Sequence, residues 1–211
     1  MGSYCHQPAL LGTEKPLSVP SGESLPATLY YLYKESGVAG FLCNALFVTG
    51  IVKEHGLRFR ERRAQGDYNE DLLFTLEYVR HIRNLVYTGY ADYLYGTHEG
   101  SLSRSYCQLY FPKYQEKFLL WKQFLTESGN DGDSLDRLAQ ETMFYFLTAL
   151  NQHLRSGSYR QFRQIIRSDA MADCLKLSVF PRENPRVIAL LQQQAAFRLW
   201  LLLTISNLKG R

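Results

Sequence analysis

Apolar residues recur at three- and four-residue steps along most of the chain from residue 25 onward, the spacing of helices with one buried face. The pattern predicts a first helix over residues 26–35, with Pro26 tolerated in its first turn and Ser36-Gly37 ending it. A second, mostly apolar helix is predicted over 38–55, stopping at Gly56. Tyr68 or Asn69 opens a long helix through Leu72, Leu73, Leu76, Val79, Ile82, Arg83 and Val86, which ends or kinks at Thr88-Gly89; residues 90–95 continue it briefly. Tyr106, Leu109, Tyr110, Tyr114, Phe118, Leu119, Trp121 and Leu125 mark the next helical stretch. Asp133 or Ser134 caps a helix to residue 154, with Gly157 just past its end. A shorter helix follows over 159–167, Ser168 caps another, and Pro181 terminates that one. Asn184-Pro185 pairs a capping residue with Pro at the first helical position, and the last helix runs to residue 207. No period-two alternation interrupts this series. The expected fold is all-α.

Residues 1–24 carry Pro8, Pro16, Pro20, Gly12 and Gly22 without any period and read as a flexible N-terminal arm. The remainder, 25–211, reads as one helical domain, with the polar run 128–134 as its best internal boundary. Connections after residue 134 are short, so consecutive helices should pack as antiparallel hairpins stacked in a compact, solenoid-like domain. Such layers are usually binding scaffolds.

Composition narrows the class. The chain has 211 residues, 45% hydrophobic and 21% charged, which fits an ordinary folded domain and excludes wholesale disorder. Residues 36–52 lack any charge but hold three Gly and an Asn, so a buried core helix is expected there and not a membrane span. The start, Met1-Gly2-Ser3-Tyr4-Cys5-His6, places His where an N-myristoylation signal needs Ser or Thr. Cys5, Cys43, Cys107 and Cys174 have no paired spacing and follow no secretory segment, which implies reduced thiols and an intracellular protein, nuclear or cytoplasmic.

Charge is more telling in its distribution than in its sum of +4. Residues 53–63 hold five Lys/Arg against two Glu, and 155–167 hold four Arg and no acid. Residues 127–141, by contrast, hold five acids against one Arg. Arg160, Arg163 and Arg167 recur at i, i+3 and i+7, so a helix sets them on one face, opposite Phe162, Ile165 and Ile166. Such an edge engages phosphates or an acidic peptide. Arg58, Arg60, Arg62 and Arg63 form a second candidate cluster. From Ala195 to Ile205 only Arg198 breaks an apolar run, and a terminal helix apolar around most of its circumference needs cover on both sides. Trp200, Leu201 and Leu202 are the candidate anchors for a protein partner.

Catalytic chemistry finds little footing. Five His are present, but no nucleophile elbow or local Cys signature accompanies them, and Cys43 and Cys174 sit in apolar helical stretches that suit inert core thiols. Asn130-Asp131-Gly132-Asp133 lacks the ligand alternation of a calcium loop. No catalytic residue, metal, cofactor or small-molecule substrate is expected.

Two resemblances and one further expectation bear on function. The stretch around Arg83-Asn84 is similar to the Arg-Asn-x-x-x-His signature of HEPN-type helical ribonucleases, which act as dimers. Thr88 stands where the family has its His, so the resemblance implies a degenerate ribonuclease. Gly157-Ser158-Tyr159-x-x-Phe162, Cys174-Leu175 and Arg186-x-x-Ala189-Leu190 resemble, in order, landmarks of the PCI-like module of GANP-type mRNA-export scaffolds. Cys107-Gln108-Leu109-Tyr110 and Glu116-Lys117-Phe118 extend that resemblance upstream, and residues 58–63 echo the family's basic segment. It implies a non-enzymatic scaffold binding a protein subunit, and RNA, in mRNA processing or export in the nucleus. A third expectation is an accessory or viral RNA-binding protein that stacks bases on aromatic and Arg side chains.

Overall fold

A computed structural model describes residues 17–19, 25–36, 42–60, 69–87, 110–129 and 132–209. Helices dominate them, and the all-α class holds. The chain divides into two compact units, Met1–Cys107 and Gln108–Arg211. The polar run 128–134 lies inside the second unit: residues 132–134 already belong to a helix, and 130–131 lie outside the described residues.

The first unit contains strand β1 (Leu17–Val19), helices α1 (Leu25–Ser36), α2 (Thr49–Glu54) and α3 (Glu70–Val79), and strand β2 (Leu85–Tyr87). Leu29, Tyr30 and Leu32 are buried on α1; Leu72, Phe74, Leu76, Tyr78 and Val79 are buried on α3. Two features depart from the expected helices. The described part of the apolar stretch 38–55 does not form one buried helix: a 3-10 turn at Leu42–Asn44 and four residues without regular structure precede α2, which buries nothing. Contacts distant in sequence decide this. Phe47 sits edge-on to Phe74 and Tyr78, and the Val48 N–H donates to the Tyr78 hydroxyl at 2.8 Å. These contacts hold residues 45–48 out of helical structure, with Val48 extended, against their local spacing.

The second departure is the end of α3 at Val79. Residues 85–87 form β2 instead of a further helical turn and pair antiparallel with β1, Leu17 opposite Tyr87 and Val19 opposite Leu85. Period-two patterning over three residues is too short to be seen in the sequence. Tertiary pairing selects the strand.

The second unit comprises α4 (Tyr110–Glu127), α5 (Gly132–Arg155), α6 (Tyr159–Ile166), α7 (Asp169–Leu177), α8 (Pro185–Gln192) and α9 (Ala196–Lys209). α4 and α5 form an antiparallel hairpin: Phe111 meets Phe146, Tyr114 stacks on Tyr145, and Lys117 pairs with Glu141 at 3.3 Å, so one chain rises as the other falls. α5 is the central helix, in contact with α4, α6, α7 and α9. That arrangement gathers helices round one member instead of stacking each only on its neighbours. Phe118, Trp121, Phe124, Leu138, Met143, Phe146 and Leu150 are fully buried. Each contributes about 1.5–3 kcal/mol by removal from water.

Two expected caps are in place. The Ser168 hydroxyl accepts from the Met171 N–H, and the Asn184 side chain accepts from the Arg186 N–H ahead of Pro185. The region 185–207 is two helices and not one. Residues 193–195 interrupt it, and Gln194 takes a left-handed φ of 51°. The Gln194 and Ala195 N–H groups donate to the carbonyls of Leu191 and Leu190, closing α8 before α9 begins.

Candidate binding surface

α6 owes its position to the end of α5. Gly157 has φ of 72°, where a side chain would be strained. Its N–H donates to the Leu154 carbonyl, and the Ser158 N–H reaches back to the carbonyl of His153 at 2.9 Å. This Schellman pair satisfies the last carbonyls of α5 and turns the chain abruptly into α6. α6 is sharply two-sided. Phe162, Ile165 and Ile166 are buried, whereas Arg160, Arg163 and, at the C-cap, Arg167 are exposed. The expected row therefore exists in space, and none of its three members makes an ion pair among the described residues.

Its electrostatic setting is one-sided. Residues 155–211 carry ten Lys/Arg and three Asp/Glu, although the whole chain is only +4. Of those acids, Asp173 is held by Lys122 and Lys176. Arg163 and Arg167 also lie where the α6 macrodipole favours cations, worth about 0.3–1 kcal/mol each. That gain accounts for their tolerance at the helix end and leaves their guanidinium groups in solvent.

α9 packs beside α6 through Trp200. The indole meets Tyr159 at 5.3 Å and Phe162 at 4.9 Å, both edge-on. Trp200 is half-buried and joins two helices, so it faces its own unit. Leu202 is likewise half-buried, while Leu201 is 49% exposed. Leu201 belongs to an outward stripe with Phe197 and Ile205, 67% and 44% exposed. Sequence reasoning took three consecutive residues and missed Phe197 and Ile205. Their i, i+4, i+8 spacing within the apolar run is the signal that finds them.

The other cluster sits in the first unit. Arg58 is exposed, Arg60 is half-buried and engaged, and Arg62 and Arg63 lie outside the described residues. Phe59, between them, stacks on Phe74 at 4.6 Å and anchors the segment. Arg83 and Asn84 are exposed in the bend between α3 and β2, not on a helix, and Thr88 lies outside the described residues.

Reactive groups are few among the described residues. Burial pushes the Cys174 thiol up to about 12, with its Sγ 3.2 Å from the Ala139 carbonyl, so it stays protonated and inert. Among the described residues no three His, Cys, Asp or Glu lie together as a metal site, and no helix is long and apolar enough to cross a membrane. No protein-family model, no curated protein and no solved structure matches the chain.

Proposed function

We propose that the chain is a non-catalytic helical adaptor whose second unit binds an anionic macromolecular partner along the exposed edge of α6. The row of Arg160, Arg163 and Arg167 carries this reading. Three guanidinium groups share the solvent side of one short helix, while Phe162, Ile165 and Ile166 fix its other side in the core. Guanidinium groups grip carboxylates and phosphates in bidentate fashion, and a helix already fixed by packing loses little freedom on binding. The GANP-type reading rests on the sequence landmarks alone, Phe162 and Cys174 among them. It would make the partner a component of mRNA processing or export, with RNA itself as the other anionic candidate. The HEPN-like alternative needs Arg83 and Asn84 facing solvent in a dimer cleft; both are exposed, and Thr88 stands where that family has its His.

Fluorescence anisotropy of labelled polyglutamate and oligouridine tests the reading, with wild type and the triple variant R160A/R163A/R167A, at about 50 and 200 mM salt. At least one probe should bind, more weakly at the higher salt. Three exposed contacts of about 0.5–1 kcal/mol each make the triple variant weaker by about tenfold or more. If neither probe binds, or the variant binds equally well, the reading is wrong.

A further inference from the structure

Resting on that reading, the geometry points to the kind of partner: we infer that α6 and α9 together dock an acidic amphipathic helix of another protein. At 100° per residue, Phe197, Leu201 and Ile205 span 80° of the α9 surface. Their length along the axis is about 12 Å, roughly two helical turns. All three are exposed. A cation borders the stripe on one side, and the Arg-bearing helix α6 packs along the other. Arg198, exposed, projects within 60° of Leu201 on one side. On the other side Trp200, 60° from Phe197, meets Tyr159 and Phe162, the α6 residues adjoining Arg160 and Arg163. Neither α6 nor α9 contains an Asp or Glu.

An apolar stripe between a cation and an Arg-bearing helix fits one class of ligand best. The backbone of α9 is satisfied within its own helix and offers no edge to an extended strand, so recognition runs through side-chain ridges, helix against helix. The complementary helix presents large apolar residues at i, i+3 or i+4, and i+7, with Asp or Glu along both flanks. RNA satisfies the Arg row but leaves Phe197, Leu201 and Ile205 in water. A second copy of this chain, paired α9 to α9, opposes Arg198 and the Arg row to their own kind at like-charge cost. An anionic lipid surface meets both chemistries but does not require a helical period in its ligand.

The test uses the full chain and a labelled synthetic helix with Leu at the stated spacing and Glu on both flanks. A scrambled peptide of the same composition, oligouridine and phosphatidylserine vesicles are run beside it. The patterned peptide should bind saturably and the scrambled one at least tenfold more weakly. Leu201→Asp and, separately, Ile205→Glu should each weaken the patterned peptide tenfold or more while leaving polyglutamate binding unchanged. Both positions are exposed, and unchanged circular dichroism confirms folding. R160A/R163A/R167A should weaken peptide and polyglutamate alike. Equal binding of patterned and scrambled peptides, or unaltered binding in both α9 variants, overturns the helix inference while the Arg-edge reading stands. Polyglutamate and oligouridine binding that ignores the Arg substitutions overturns the underlying reading instead. A concentration-dependent dimer abolished by Leu201→Asp, or vesicle binding in place of peptide binding, overturns the inference in favour of a second copy or a membrane.

Discussion

Phe162→Ala probes the joint that sets α6 against α9. The ring is wholly buried and meets the Trp200 indole edge-on at 4.9 Å. Truncation removes that aromatic pair, worth about 0.5–1.5 kcal/mol beyond its area. It also leaves a cavity, and Phe→Ala in a core costs about 3–5 kcal/mol in all. Domains of this kind hold about 5–15 kcal/mol, so about a fifth or more of the stability is at stake. Both tryptophans, Trp121 and Trp200, lie in the second unit, so their emission during urea unfolding reports on that unit. Arg163→Ala, one position along, should change the same midpoint by under about 1 kcal/mol, the helix-end contribution of one exposed cation. A Phe162→Ala loss below about 1.5 kcal/mol would refute the packing reasoning. An Arg163→Ala loss as large as that of Phe162→Ala would show the Arg row to be structural.

Three further outcomes follow from single residues. Gly157→Ala should destabilise the second unit by about 1–2 kcal/mol through its left-handed φ, because an added Cβ meets nothing else; an unchanged melting temperature would contradict this. Burial lowers the His153 pKa from 6.5, so the folded state prefers neutral imidazole and stability falls as pH drops through the ordinary His value. His153→Gln should flatten that acid limb in thermal melts, and an identical limb would sink the assignment. With its pKa raised to about 12, Cys174 should resist alkylation at mildly alkaline pH until urea unfolds the chain, whereas the exposed Cys43 reacts at once. Mass mapping that finds both labelled at similar native rates would contradict the burial.

Local signals were legible where local physics decides. Asn184-Pro185 and Ser168 are caps whose side chains bond the backbone two or three residues on, so sequence alone places them. Gly157 marks a turn because a left-handed φ favours glycine, and the i, i+3, i+7 row of α6 follows from helical geometry. What stayed hidden depends on contacts far along the chain. Val48 donates to Tyr78, thirty residues away, and β2 exists because residues 17–19 pair with it. The break at Gln194 contains neither Gly nor Pro, so nothing in the residue types announces it. The α9 surface was half legible. The apolar run showed that the helix needs cover, but only the packing of Trp200 on Tyr159 and Phe162 separates the inner face from the outer one.

Hydrogen–deuterium exchange with and without saturating polyglutamate is the most direct test of the Arg edge as the binding surface. Protection should concentrate on residues 159–167, and with the patterned acidic helix it should extend over 196–206. Protection confined to the first unit, or none at all under saturating probe, would contradict the assignment of function to α6.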